Sequence, residues 1–373
     1  MRVLFVSNIP SPYRVNFFNE LGKHCDLTVC FEGERATDRN VAWIPEAARN
    51  FTAVYLNGIR TDSDKFLSFR LKKYLKEKWD YIIFGGYSTP TQMLGILYLR
   101  RKKIPFILEA DGGIISAENK LKFLIKKYFI SSASAWFSSG EKTTDYFVHY
   151  GADREKCYKY PFTSLMDVDI AKAKAERVVA KRNEIREKLN MREEKIVLSV
   201  GRFTYNAGYG KGYDFIMTSA EKTIGESIGY YIVGDEPTQE FLNWKESKHL
   251  TNVHFVGFKK KSELAEYYLA ADLFVLMTRS DVWGLVINEA MSYGLPIIST
   301  NMCVAACELV NEGSNGHVIN IENAHLLSNY VVDILNDEEK CKQFSLNSEL
   351  SIREYSIENM ACAHMRVMNE LSK

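Results

Sequence analysis

The feature that most constrains the fold of this chain is an alternation of short apolar runs with amphipathic helical stretches, which occurs in both halves of the sequence. Apolar runs bounded by helical patterns are typical of strands in a mainly parallel α/β sheet, buried on both faces. The predicted strands are 3–6, 27–31, 51–56, 81–84, 106–108 and 135–138 in the first half, and 196–200, 230–233, 253–256, 273–277, 296–299 and 317–319 in the second. The clearest predicted helices of the first half are 64–79 and 119–130.

A polar stretch at 166–194 separates the two halves and reads as a connecting helix. A chain of 373 residues is too long for one ordinary core and suits two domains. We therefore predict tandem Rossmann-like, doubly wound domains at 1–165 and 166–351, with a C-terminal helix at about 352–373 that returns to the first domain. Open α/β sheets bind ligands at the carboxyl ends of their strands, so a central ligand cleft is expected.

Composition excludes several classes of protein. The chain is 46% hydrophobic and 25% charged, and no apolar run reaches the roughly 20 residues that a membrane span needs. Seven cysteines at irregular spacing form neither a disulfide framework nor a paired metal motif. The seven histidines are scattered as well, so we expect neither a metal nor another cofactor. We also expect a cytoplasmic protein with no nucleic-acid partner.

Charge is unevenly distributed along the chain. Residues 1–165 contain 25 Lys and Arg against 17 Asp and Glu, a net charge of +8, whereas the remaining 23 and 30 give −7. The predicted helix at 119–130 interleaves lysines with large apolar residues, which fits a helix lying on the inner face of an anionic membrane. The alternatives are an ordinary charged surface and a buried helix whose lysines extend to solvent.

The segment 278–296 carries the clearest functional pattern. A predicted strand ends at Thr278, and a helix begins near Gly284 and ends at Gly294. The backbone N–H groups at the helix start can bind an anion. Asp281 precedes the helix and Glu289 lies in its second turn, so both carboxylates can accept hydroxyl groups of a ligand bound there.

A second element lies after the first strand of the same half. Gly201 and Arg202 follow that strand, and Lys211 and Gly212 come after a glycine-rich excursion. Fixed cations at a helix start form a cradle for a diphosphate. Phe258 follows another strand and can grip a flat base.

Together these motifs resemble glycosyltransferase family 4, over about residues 195–320. The resemblance implies that Arg202 and Lys211 bind the donor diphosphate, that Glu289 holds the ribose and that Asp281 contacts the donor sugar. The other donor-binding positions are then Gly201, Phe258, Trp283, Gly284, Leu285 and Val286. Two departures stand out: Asp281 replaces the usual glutamate, and the Arg202–Lys211 spacing is longer than usual, which suggests a mobile loop closing over the donor.

The first half is expected to bind the acceptor. Relatives often have a histidine near the end of the strand at 106–108, but here the sequence is Glu109-Ala110-Asp111. Asp111 is therefore predicted to orient the acceptor hydroxyl as a catalytic residue, with Glu109 beside it. Arg14 is either a phosphate ligand on the acceptor side or a surface arginine at a helix start.

The resemblance implies a retaining, metal-independent glycosyltransferase of the GT-B fold. Its partners would be a nucleotide-diphosphate sugar, with UDP favoured, and a glycan or lipid-linked sugar that accepts a hexose or N-acetylhexosamine. Two alternatives stay open: a catalytically silent, sugar-binding partner subunit of a glycosyltransferase, and a UDP-sugar 2-epimerase of the same fold.

Overall fold

The computed structural model describes residues 1–35, 47–177 and 179–372. These form two compact units, one of Met1–Ser164 with Tyr355–Lys373 and one of Leu165–Glu354. Each unit is built on a parallel sheet with helices, which confirms the predicted α/β class. No helix in the described ranges is long and apolar enough to cross a bilayer.

The first unit contains a seven-stranded parallel sheet and a small hairpin. Its strands are β1 (Arg2–Ser7), β2 (Asp26–Phe31), β3 (Thr52–Tyr55), β4 (Ile59–Arg60), β5 (Phe66–Leu67), β6 (Tyr81–Phe84), β7 (Ile107–Ala110), β8 (Ala135–Ser138) and β9 (Cys157–Lys159). Its helices up to this point are α1 (Pro12–Leu21), α2 (Leu71–Tyr74), α3 (Pro90–Lys102), α4 (Lys120–Ile130) and α5 (Glu141–His149). The strand order is β3-β2-β1-β6-β7-β8-β9, so the chain reverses direction across the sheet between β1 and β6.

Burial explains why the strands could be predicted. Val3, Leu4, Phe5 and Val6 of β1 are fully buried, because helices cover both faces of a parallel sheet. All six strands predicted for the first half are present. The short β4, β5 and β9 were missed, since β4 is exposed and β9 lies at the sheet edge with half-exposed side chains.

The predicted helix at 64–79 is wrong. Phe66 and Leu67 instead pair antiparallel with Ile59 and Arg60, and only Leu71–Tyr74 is helical. The ring of Phe66 is buried against Gly33, where a Cβ atom would lie 2.2 Å from the ring. This tertiary contact holds Phe66 in the hairpin and overrides the helical periodicity of the segment.

The second unit contains a six-stranded parallel sheet. Its strands are β10 (Lys195–Val200), β11 (Ile228–Val233), β12 (Val253–Gly257), β13 (Leu273–Leu276), β14 (Ile297–Thr300) and β15 (Gly316–Ile319), all six of which were predicted. Its helices are α6 (Asp167–Glu176), α7 (Val179–Lys188), α8 (Tyr213–Lys222), α9 (Gln239–Ser247), α10 (Lys261–Ala270), α11 (Leu285–Ser292), α12 (Val304–Leu309), α13 (Leu327–Leu335) and α14 (Glu338–Ile352). The order β12-β11-β10-β13-β14-β15 reverses direction between β10 and β13, where open α/β sheets bind their ligands.

The polar connector forms two helices, α6 and α7, rather than one. Arg182 and Arg186 of α7 both bond to Asp272 at the start of β13, which fastens the connector to the second unit. The chain ends with α15 (Ile357–Leu371), which belongs to the first unit and packs against α1.

Candidate functional site

The loop that follows β10 passes very close to the loop that follows β11. The N–H of Gly201 donates to the Val233 carbonyl at 3.0 Å, and a Cβ atom on Gly234 would lie only 1.8 Å from the Gly201 carbonyl oxygen. Any side chain at Gly201 would also meet the Tyr213 hydroxyl at 2.8 Å. Close backbone packing therefore requires glycine here, and the next residue, Arg202, is exposed at the carboxyl edge of the sheet.

Lys211 and Asp281, both predicted site residues, form an ion pair with each other. The Lys211 ammonium group donates to the Asp281 carboxylate, and the two side chains are 17% and 19% exposed. The Asp281 backbone is fixed by its N–H, which donates to the Met302 carbonyl at 2.9 Å. A partly exposed cation and carboxylate thus meet at the carboxyl ends of β10 and β13.

The glycine-rich excursion before Lys211 forms a hydrogen-bonded turn. Asn206, Ala207 and Gly208 take left-handed backbone angles, with φ of 50°, 51° and 91°. The Gly210 carbonyl accepts the N–H of Arg279 at 2.9 Å.

Arg279 anchors the same turn through its side chain. Its guanidinium group makes two 2.7 Å bonds to Asp214 on α8. Because Arg279 is two residues before Asp281, the turn that carries Lys211 and the loop that carries Asp281 are fastened together.

The start of α11 follows Gly284, which has a φ of +102° and is buried. A Cβ atom on Gly284 would lie 2.6 Å from the Cys303 sulfur, so both the backbone angle and the packing favour glycine. The first-turn N–H groups of a helix lack partners within the helix, and those of Leu285 and Val286 stand at this end. The helix begins where the sequence predicted it, and anion binding at this start stays a prediction.

The Trp283 side chain, which precedes Gly284, is buried. It is only 3% exposed, and its indole N–H donates to the Asn288 side chain at 2.8 Å. Its carbonyl accepts the N–H of Ala305 at 2.8 Å. The indole therefore packs against Asn288 of α11, and the assignment of Trp283 to donor binding stays a prediction.

Glu289 lies on the flank of α11 and faces Tyr268 of α10. The Tyr268 hydroxyl donates to the Glu289 carboxylate at 3.0 Å, and burial raises the pKa of Glu289. The carboxylate lines a cavity of about 590 Å³ together with Leu264 and Ser262 of α10. Asp281 and Glu289 thus face different partners, a lysine and a tyrosine.

Phe258 stands at the end of β12, where it was predicted to grip a base. The preceding Gly257 has a φ of +75°, and the Phe258 ring is 54% exposed. An exposed aromatic ring at the carboxyl edge of the sheet is available for stacking.

The predicted acceptor residues of the first unit form a buried cluster. Arg14 is 5% exposed, and its guanidinium group bonds to both Glu109 and Asp111. Burial corrects the alternative of a surface arginine, and the two carboxylates occupy the donors that a phosphate would need. Tyr13 and Tyr160 donate to Asp111 at 3.3 and 3.4 Å.

A histidine that the sequence reasoning missed completes this cluster. His364 of α15 is fully buried, and its Nε2 lies 2.8 Å from Glu109. The two residues are 255 positions apart, so no local pattern could have paired them. No group of three or more His, Cys, Asp or Glu side chains that could hold a metal occurs in the described part of the chain.

Parts of the chain are similar in sequence to glycosyltransferases. A family model described as "Glycosyl transferases group 1" matches residues 181–350. An uncharacterized 41.2 kDa protein from the cps region of Klebsiella pneumoniae is 28% identical over 42% of this chain and 43% of its own length. An uncharacterized glycosyltransferase of Methanocaldococcus jannaschii is 23% identical over 78% of this chain and 76% of its own.

Among solved structures, Anabaena HepE in complex with UDP superposes with a TM-score of 0.76 at 16% identity, covering all of both chains. This likeness confirms the predicted GT-B fold. The chain spans less than half the length of the Klebsiella relative. The family model covers less than half of the chain, so glycosyltransferase activity of the whole chain stays a prediction.

Proposed function

We propose that this GT-B chain, whose residues 181–350 match the group 1 glycosyltransferase model, is a retaining, metal-independent glycosyltransferase. It would move a hexose or N-acetylhexosamine from a nucleotide-diphosphate sugar to a glycan or lipid-linked sugar. UDP is the favoured nucleotide, and the UDP complex of the similar HepE structure supports that choice. The observation that carries the proposal is the Lys211–Asp281 pair beside the start of α11.

Each residue of the second unit has a separate task in this proposal. Arg202, Lys211 and the N–H groups of Leu285 and Val286 bind the diphosphate, since cations and helix starts stabilise anions. Glu289 accepts hydrogen bonds from the ribose hydroxyls. In the free protein Lys211 and Asp281 form an ion pair. In the donor complex Lys211 binds the phosphate instead, and Asp281 accepts a hydrogen bond from a sugar hydroxyl.

The proposed chemistry is attack on the same face that the leaving group departs from. The bond between the anomeric carbon and the diphosphate oxygen breaks, and a bond to the acceptor oxygen forms with the configuration retained. The acceptor proton passes to the departing phosphate oxygen, whose growing charge Arg202 and Lys211 neutralise. Asp111 is assigned to orient the acceptor hydroxyl.

A donor panel tests this proposal. We expect one of a set of UDP-, GDP- and ADP-sugars to raise the unfolding temperature and to release its diphosphate slowly, with EDTA present. Glu289→Ala and Arg202→Ala should abolish both effects, because they remove the ribose and diphosphate contacts. Glu226→Ala, an exposed carboxylate in the turn before β11, is the matched control and should behave as wild type.

Three results would overturn the assignment. Binding of a donor without transfer to any of the tested sugar acceptors would indicate a silent partner subunit. Conversion of a UDP-sugar into its 2-epimer would indicate the epimerase. No binding of any donor would remove the proposed site altogether.

We further propose that α4 lies on an anionic bilayer and brings the enzyme to a lipid-linked acceptor. Leu121, Leu124, Ile125 and Tyr128 of this helix are 68%, 50%, 42% and 40% exposed. Only Phe129 and Ile130 are buried, so a buried helix with extended lysines does not describe α4.

The charged residues of α4 suit the same partner. Lys120, Lys122 and Lys127 are exposed beside the apolar side chains. Arg100 of α3 lies 4.1 Å above the Tyr128 ring and extends the basic surface. Exposed apolar side chains mixed with lysines favour the boundary between acyl chains and anionic headgroups.

Vesicle flotation tests the bilayer contact. Wild type should float with vesicles of phosphatidylglycerol and phosphatidylcholine and much less with phosphatidylcholine alone. The double change Leu121→Glu with Leu124→Glu should reduce flotation about tenfold or more. Leu346→Glu with Leu350→Glu, a similarly exposed pair on α14, is the control, and equal flotation of both double variants would refute the contact.

A further inference from the structure

We infer that His364 of the C-terminal helix is a positioning residue for Asp111, acting through a buried row of alternating charges. The row runs His364, Glu109, Arg14, Asp111, and all four residues belong to the first unit. The inference rests on the proposed function, in which Asp111 orients the acceptor hydroxyl. It adds a residue of α15 to the acceptor side.

The hydrogen bonds of His364 determine the charge of its ring. Nδ1 lies 2.7 Å from the Met360 carbonyl oxygen and Nε2 lies 2.8 Å from the Glu109 carboxylate. A carbonyl oxygen and an ionised carboxylate only accept hydrogen bonds, so both ring nitrogens must donate. The ring satisfies both contacts as an imidazolium, the first positive charge of the row.

Glu109 is held in its ionised form between two cations. It is fully buried, which by itself would raise its pKa, but the charges of Arg14 and His364 lower that pKa to about 2. One carboxylate oxygen faces Arg14 and the other faces His364. Glu109 therefore fixes the guanidinium group of Arg14 through Nη1, while Asp111 bonds to Nη2.

The row ends at the one member that a ligand can reach. The Asp111 side chain is 27% exposed, whereas those of Arg14, Glu109 and His364 are 6%, 0% and 0% exposed. The Tyr13 hydroxyl also donates to Asp111, and the Tyr160 hydroxyl is shared between Asp111 and the nearer Ala110 carbonyl oxygen, so Arg14 and Tyr13 chiefly direct the Asp111 oxygens.

Folding stability alone does not explain why four charged residues are placed in one row. Burying charges is expensive, and apolar replacements of buried ion pairs are often equally stable. A row of four charges that leads from the core to one accessible carboxylate is better explained by the need to orient that carboxylate. The other groups that face the row, Tyr13 and Tyr160, are neutral phenols with the pKa of Tyr160 raised by burial.

Nuclear magnetic resonance tests the row without any substrate. From the two contacts of its ring, we expect both nitrogens of His364 to carry protons in the wild type. In His364→Phe the Glu109 charge is less compensated, so the Asp111 carboxyl should titrate at higher pH than in the wild type. Met368→Leu, a buried change on the same helix, should leave the Asp111 titration where it was.

Kinetics test the positioning role. With the donor found in the panel and octyl glycosides as acceptor probes, His364→Phe should lower kcat/KM for the acceptor about 10- to 100-fold. Donor binding and slow donor hydrolysis, which depend on the second unit, should stay unchanged. His364→Gln, which keeps one donor, should retain part of the activity.

The outcomes separate this inference from the proposed function. An unprotonated ring nitrogen, an unmoved Asp111 titration, or acceptor kinetics equal to those of Met368→Leu would refute the role of His364 while leaving donor turnover intact. Loss of donor binding in the wild type would instead remove the proposed function, and the resonance measurements would still decide whether the row of charges exists.

Discussion

Replacing Lys211 with methionine is expected to lower kcat for sugar transfer by about 10²- to 10³-fold. The ammonium group would bind the diphosphate most strongly as its charge grows in the transition state, and loss of one such donor typically has an effect of this size. Methionine keeps most of the apolar stem, so packing of the turn should survive. Because Asp281 is 19% exposed, water can solvate the carboxylate left behind, and the stability loss should be about 1 kcal/mol.

The measurement is the rate of diphosphate release at saturating donor and acceptor. Lys222→Met, an exposed lysine at the other end of α8, is the control and should keep wild-type kcat. Asp281→Asn should mainly change the relative rates with different donor sugars. It alters a contact to a sugar hydroxyl and leaves the phosphate contacts in place. A higher donor KM with unchanged kcat in Lys211→Met would mean that the lysine binds ground state and transition state equally, which contradicts the proposed role.

The second unit could be predicted from the sequence to a large extent, because its pattern is local. Four of its six strands are almost entirely buried, and each of the six is followed by a helix. Gly284 and Gly201 were recognisable because backbone angle or close packing admits only glycine there. The pairing of Lys211 with Asp281 required the structure, since the turn at Tyr205–Lys211 has an irregular backbone that no periodicity describes.

The first unit was harder to predict because its important contacts are distant in sequence. Arg14 looked like a residue at a helix start, and only the fold shows that it lies between Glu109 and Asp111. His364 lies in an ordinary amphipathic helix, and nothing in that pattern distinguishes it from a core residue. The sequence therefore predicted the elements of this unit better than the network that they bury.

The buried row of charges predicts a second large effect, which is a loss of folding stability when one of its members is replaced. Glu109→Gln is expected to destabilise the protein by about 3 to 5 kcal/mol, the usual result of removing one partner from a buried ion pair. Arg14 and His364 would then face a neutral amide that can accept from one cation while its NH₂ group points at the other. The unfolding temperature should fall by roughly 10 °C.

Exposed pairs give the control. Glu141→Gln breaks a bond to Arg154 in which both side chains are about half exposed, and it should change stability by less than about 1 kcal/mol. The comparison separates the effect of burial from that of charge, because both variants replace a paired glutamate with glutamine. Similar losses in the two variants would show that the buried row is no more coupled than a surface pair.

The loss of stability in Glu109→Gln should depend on pH, and the pKa shift of Glu109 determines the direction of that dependence. The pKa of Glu109 is lowered from 4.5 to about 2 on folding, so its stabilisation is fully present above about pH 4.5 and is lost as the pH falls towards 2. A shift of that size corresponds to about 3 kcal/mol, in line with the expected effect of the substitution. The gap in unfolding free energy between wild type and Glu109→Gln should therefore narrow as the pH falls from 4.5 to 2. A gap that stays constant through the acid range would mean that Glu109 is not ionised between its two cations, and that the row of charges is not formed.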